Sequence, residues 1–151
     1  MRLRAEGRKV VIADDAQEIL DLLCLVLEQR GYEVFPYTDG AMALREIPEI
    51  QPDLVILDIL MPGADGLEVC DAVKKNPSLS HIPVFLMTSA TAGSEVADGF
   101  WKIGTCADAF FSKPFNPMEV AAYADKFVMG VELPAGLTSR SSGGGAARVT
   151  R

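Results

Sequence analysis

Short apolar runs alternate along this chain with longer segments in which apolar residues recur every three or four positions. The runs are 9–13 (KVVIA), 32–37 (YEVFPY), 53–58 (DLVILD), 82–90 (IPVFLMTSA) and 108–114 (DAFFSKP), and each reads as a strand. Between 16 and 30, Ile19, Leu22, Leu23, Val26 and Leu27 fall at helical spacing. Asp39 can cap a short helix, GAMALREI, expected to stop before Pro48. GLEVCDAVKKN, 66–76, reads as a third helix ended by Pro77, and GSEVADGFWKIG, 93–104, as a weaker fourth. Asn116-Pro117-Met118-Glu119 combines an N-cap, a proline suited to the first helical position and a glutamate in the first turn. The fifth helix it opens is expected to run to about Met129.

Five strands alternating with five helices predict an α/β fold. Near-continuous apolar strands between amphipathic helices imply a doubly wound parallel sheet covered on both faces. Ligands in such sheets bind outside the C-terminal ends of the strands.

The composition narrows the picture. With 151 residues the chain can bury one full core. Its net charge is −7, although both ends are basic: Arg2, Arg4, Arg8 and Lys9 at the start, Arg140, Arg148 and Arg151 near the finish. The middle is therefore strongly acidic, which disfavours nucleic acid as a direct partner and favours a divalent cation. Three scattered cysteines and a single histidine make a zinc site a poor reading. No apolar run approaches a membrane span, and the N-terminus lacks a signal-peptide pattern, so no membrane insertion and a cytoplasmic location are expected. The tail GLTSRSSGGGAARVTR has no apolar periodicity and is expected to stay disordered.

The chemistry sits where the strands stop. The first run ends in Asp14-Asp15, the third in Asp58, the fourth in Thr88-Ser89 and the fifth in Lys113. Taken singly, Asp14-Asp15 reads as a helix cap, Asp58 as a turn aspartate and Lys113 as a solvated lysine. Together they bring three carboxylates, a hydroxyl and an ammonium to one edge of the sheet. Close carboxylates resist ionising together, and a bound hard cation such as Mg²⁺ removes that penalty. The set suits a site that accepts a phosphoryl group on a carboxylate.

With these residues the chain resembles the receiver domain of two-component response regulators over residues 8–129. The matching features are Asp14-Asp15 after an apolar strand, the run DILMPGADG from Asp58 to Gly66, Thr88, and Lys113-Pro114-Phe115. The resemblance implies a flavodoxin-like (βα)5 fold with strand order 2-1-3-4-5. It implies that Asp58 takes a phosphoryl group from a phosphohistidine. Asp14, Asp15, Asp58 and the backbone carbonyl of Leu60 would hold Mg²⁺. Lys113 and Thr88 would contact the phosphoryl group, and Phe110 would follow Thr88 inward. A cis Lys113-Pro114 bond is also expected. The implied partners are a sensor histidine kinase or histidine phosphotransfer protein and a downstream protein effector, with a phosphorylation-dependent homodimer left open. Residues 1–7 would be a basic extension and 130–151 a tail, with no DNA-binding domain.

The chain departs from the family pattern in places. Leu60 and Ala90 stand where polar side chains commonly assist hydrolysis, so slow dephosphorylation is expected. Phe110 lacks the hydroxyl of the tyrosine often found there, and Cys106 stands where glycine is common. An aspartyl-phosphate phosphatase would need a second aspartate two residues after the nucleophile, and that position is Leu60. A phosphorylation-independent protein-interaction module is the remaining alternative. His81 is expected at the surface, and an exposed Trp101 would suit partner binding.

Overall fold

The computed structural model describes residues 5–88 and 107–134, together with the backbone of Arg148 and Val149. The elements are β1 (Lys9–Ala13), α1 (Gln17–Gln29), β2 (Glu33–Tyr37), α2 (Gly40–Ile50), β3 (Leu54–Asp58), α3 (Gly66–Lys75), β4 (Val84–Thr88), β5 (Ala109–Ser112), α4 (Pro117–Met129) and β6 (Arg148–Val149). The sheet order is β2-β1-β3-β4-β5-β6. The first five strands run parallel in the expected order 2-1-3-4-5, and β6 pairs antiparallel with β5. The helix expected over 93–104 lies outside the described residues.

The sheet is covered on both faces, as its apolar strands require. Successive side chains of a strand point to opposite faces. Val10, Ile12, Leu54, Ile56, Phe85 and Phe111 face α1 and α4. Val11, Ala13, Val55, Leu57, Val84 and Leu86 pack with residues of α2 and α3. Aromatic rings stiffen the first layer: Phe111 lies 5.4 Å from Phe85 and meets Tyr123 of α4 edge-on at 5.6 Å.

The first helix forms as its spacing predicts, and the second departs from expectation for a packing reason. On α1 the buried face is Leu20, Leu23, Val26 and Leu27, while Leu22 is 40% exposed. The buried stripe centres on Leu20, Leu23 and Leu27, and Leu22 falls on its exposed flank. Helix α2 does not stop before Pro48 but runs through it to Ile50. Proline removes one backbone bond there, yet Ile47 is fully buried and Ile50 packs beside it on the same core. Burial of these two isoleucines holds the last turn. The helix then ends on Gln51 in a left-handed conformation, φ 54°, with its side-chain amide donating to the Pro48 carbonyl at 2.9 Å.

Two long-range ion pairs lock the N-terminal edge of the sheet. Asp125 of α4 is buried and accepts from the Arg30 guanidinium and from the Tyr32 hydroxyl, the latter at 2.8 Å. This ties α4 to the turn between α1 and β2. Burial, and then the hydrogen bond to the Asp125 carboxylate, push the Tyr32 phenol well above its ordinary pKa. On the other layer, Lys74 donates to Asp108 at 3.0 Å and to the Ile82 carbonyl at 2.6 Å. The same Asp108 oxygen accepts from the Val84 backbone at 2.8 Å, so α3, β4 and the entry to β5 share one charged contact.

Candidate functional site

The opposite edge carries the chemistry. Register places the strand ends side by side: Ala13 pairs with Leu57, Asp58 with Met87, and Thr88 with Ser112. One residue beyond the pairing in β1 is Asp14, and one beyond it in β5 is Lys113. Asp14, Asp15 and Asp58 each offer a carboxylate oxygen within 4.8 Å of the others. Asp14 is fully buried, Asp58 is 5% exposed, and Asp15 faces solvent.

Lys113 reaches across this group. Its ammonium donates to Asp14 at 2.7 Å and to Asp58 at 3.3 Å. The second oxygen of Asp14 accepts from the Ala16 backbone at 2.9 Å, just ahead of α1. The cap reading of Asp14 does not hold: Ala16 is the N-cap of α1 and has no side-chain cap bond, while one Asp14 oxygen serves the turn ahead of the helix and the other faces the lysine. The Lys113 backbone is also anchored, its N–H donating to the Thr88 carbonyl at 2.7 Å. The Lys113–Pro114 peptide bond is cis, as expected.

Burial and the neighbouring Asp14 charge raise the Asp58 pKa from 3.8 to about 6, against the pull of Lys113. Burial opposes the charge on Lys113, but its hydrogen bond to Asp14 and the charges of Asp58 and Asp14 outweigh it and raise its pKa. One ammonium therefore stands against three carboxylates, which leaves an excess of negative charge. The donor set is all oxygen, with no thiol or imidazole in it. Such a set suits a hard divalent cation, and the exposed Asp15 side leaves an approach for the waters that Mg²⁺ retains.

The loops around Asp58 are held by two Asp-Gly pairs of the same design. Asp65 caps α3 by accepting from the Glu68 backbone at 2.9 Å, and Gly66 follows as the first helical residue. A Cβ on Gly66 would lie 2.4 Å from the Asp58 carbonyl oxygen. Only glycine lets α3 start this close to the strand that carries Asp58. Asp39 caps α2 in the same way, and Gly40 donates to the Pro62 carbonyl at 3.0 Å. A Cβ on Gly40 would lie 1.7 Å from the Ala64 carbonyl oxygen. The α2 N-terminus is thereby keyed into the loop after Asp58. The role of Gly40 in this contact went unread in the sequence, although DG at 39–40 repeats the DG at 65–66.

The remaining expected residues fall into three groups. Thr88 and Phe110 lie on one face of the sheet by register, at 7% and 6% exposure, so Phe110 is already inside. The side chain of Leu60 is 62% exposed, at the mouth of the loop after Asp58. His81 is exposed, as expected. Ser89, Ala90, Phe100, Trp101 and Cys106 lie outside the described residues.

Comparison with known proteins agrees with this geometry. The family profile described as the response regulator receiver domain matches residues 10–125. The chain is similar to the signal receiver domain of a signal transduction histidine kinase from Syntrophus aciditrophicus. There the identity is 30% and the TM-score 0.72, with 87% of this chain and 98% of that one covered. It is also similar to the chemotaxis response regulator CheY4 of Vibrio cholerae, with 28% identity, TM-score 0.69, and 80% and 98% of the two chains covered. A CheY-like receiver domain protein from Methanospirillum hungatei matches at 26% identity and TM-score 0.65, over 80% and 95% of the chains.

The raised Asp58 pKa makes a stability prediction. The unfolded chain ionises Asp58 near 3.8 and the folded protein near 6, so folding pays an increasing cost between these values, complete above about pH 6. In metal-free buffer at pH 7.5, Asp58→Asn should therefore be more stable than the wild type in urea unfolding. The gain should be about 1–2 kcal/mol, allowing for water at the mouth of the site, and should vanish by about pH 4. Equal stability of the two proteins at pH 7.5 would show that neither burial nor the Asp14 charge burdens ionised Asp58.

Proposed function

The chain belongs to the response regulator receiver domain family, and from that premise we propose that Asp58 is the carboxylate on which it carries a phosphoryl group. The observation that carries this reading is the junction of Asp14, Asp15 and Asp58 with the Lys113 ammonium at one edge of the sheet. The donor is a phosphohistidine on a sensor histidine kinase or a histidine phosphotransfer protein. An Asp58 oxygen forms the new P–O bond while the P–N bond breaks. The electron pair of that bond returns to the imidazole, which takes up a proton. Above about pH 6 Asp58 is mostly ionised and ready for the attack.

Asp15, Asp14 and Asp58, with the Leu60 carbonyl, would hold Mg²⁺. When bound, it would neutralise negative charge as the carboxylate attacks. Lys113 already donates to Asp58, and its flexible ammonium can follow the charge onto the phosphoryl group. Thr88 ends the neighbouring strand and has a hydroxyl to donate to a phosphoryl oxygen. Its carbonyl accepts from Lys113, so a shift of either residue passes to the other. Phe110 needs no inward swing to complete such a shift. The output is a change in the surface offered to a downstream protein.

Intact mass after incubation with Mg²⁺ and acetyl phosphate tests this reading. The wild type should gain one phosphoryl group and Asp58→Ala none. A gain in both would place the phosphoryl group on another residue.

Leu60 makes a second prediction. Its exposed apolar side chain, two residues beyond Asp58, cannot orient water by hydrogen bonding. Once acetyl phosphate is removed, the acyl phosphate of Leu60→Asn should decay several-fold faster than that of the wild type, followed by mass over time. A wild-type lifetime equal to or shorter than the variant's would contradict this.

A further inference from the structure

The sheet has one feature that the receiver chemistry does not use. Arg148 and Val149 form β6, antiparallel to β5, with Val149 opposite Ala109 and Arg148 opposite Phe110. Without them β5 would be an edge strand among the described residues, paired only to β4. Its sequence is Ala-Phe-Phe-Ser, uncharged and mostly apolar. An edge of this kind is a template for pairing with another chain, and proteins usually blunt it with charge, proline or a covering segment. None of its four residues supplies charge or proline, so the cover has to come from elsewhere.

We propose that the C-terminal segment closes the β5 edge in cis, and by occupying it keeps a second copy of the chain from pairing there. The chain between the end of α4 and β6 is long enough. The stretch 135–147 separates Pro134 from Arg148, and when extended it spans about 40 Å, against about 5 Å between neighbouring strands. Its composition is mostly Gly, Ser and Ala, as in linker sequences. The end of the chain changes character: Arg148-Val149-Thr150-Arg151 has two adjacent β-branched residues between two cations. Val and Thr favour extended pairing. The cations suit a cis contact, because residues 131–151 carry three arginines against one glutamate while the chain as a whole stands at −7. A cationic tail is drawn to its own acidic domain at an effective concentration no second molecule matches at ordinary protein levels.

The contact also reaches the site. Strand β5 ends at Ser112, and the next residue is Lys113, whose position sets the charge balance at Asp14 and Asp58. A strand pinned on both sides holds that lysine more firmly than one pinned on a single side.

The test uses the full chain with Arg148→Pro and Val149→Pro together. Proline removes the backbone donor at each position while leaving the core untouched. Hydrogen exchange read by mass spectrometry on the peptide covering Ala109–Ser112 should be faster in the double variant, by about fivefold, as loss of one or two edge hydrogen bonds implies. The wild-type protection should be the same at low and high protein concentration. The variant alone should show concentration-dependent association in sedimentation velocity. Identical exchange of the β5 peptide in both proteins would overturn the proposal. Wild-type protection that grows with concentration would overturn it too, because β6 would then be donated by a second copy.

Discussion

The contact of Lys113 with Asp14 and Asp58 is the constraint on which the functional end of the molecule rests. Without a cation, three carboxylates at the ends of adjacent strands would push the sheet edge apart. One ammonium, held by a backbone bond to Thr88 and placed 2.7 Å from the fully buried Asp14, makes the arrangement tolerable without satisfying it. Burial and then the Asp14 charge push the Asp58 pKa up to about 6 despite the nearby lysine. A site in this condition gains from any ligand that brings positive charge.

The two edges of the sheet divide the work. At the N-terminal edge, Arg30 and Tyr32 donate to the two oxygens of Asp125, and Lys74 and the Val84 backbone share one oxygen of Asp108. These contacts join helices to strands and leave little to rearrange. At the C-terminal edge the charges are unbalanced, Asp15 is open to water, and the loop after Asp58 is held by glycine contacts that admit no side chain. A rigid base and an electrostatically loaded top suit a domain that must keep its fold while its upper surface responds.

Much of this was legible in the sequence because it depends on local pattern. Unbroken apolar runs announced the strands, and a parallel sheet places the residue that ends each run at the same edge. The gathering of Asp14, Asp15, Asp58 and Lys113 followed from that rule alone. What remained hidden depends on distant partners or on packing. Nothing near Asp125 in sequence indicates Tyr32, 93 residues away, as its hydrogen-bond donor. Pro48 argued for the end of α2, and only the burial of Ile47 shows why the helix continues. The pair Leu22 and Leu23 fitted one helical stripe equally well until the position of the sheet chose Leu23. Strand β6 was masked by a Gly- and Ser-rich approach whose composition predicts no structure.

Magnesium binding to the wild type and to Lys113→Met, compared by calorimetry at pH 7.5, tests the charge account most directly. If the lysine and the cation compensate the same carboxylates, removing the ammonium should tighten Mg²⁺ binding, by at least about fivefold at low salt. Unchanged or weaker binding in the variant would contradict the account, because the metal would then owe nothing to the charge that Lys113 now balances.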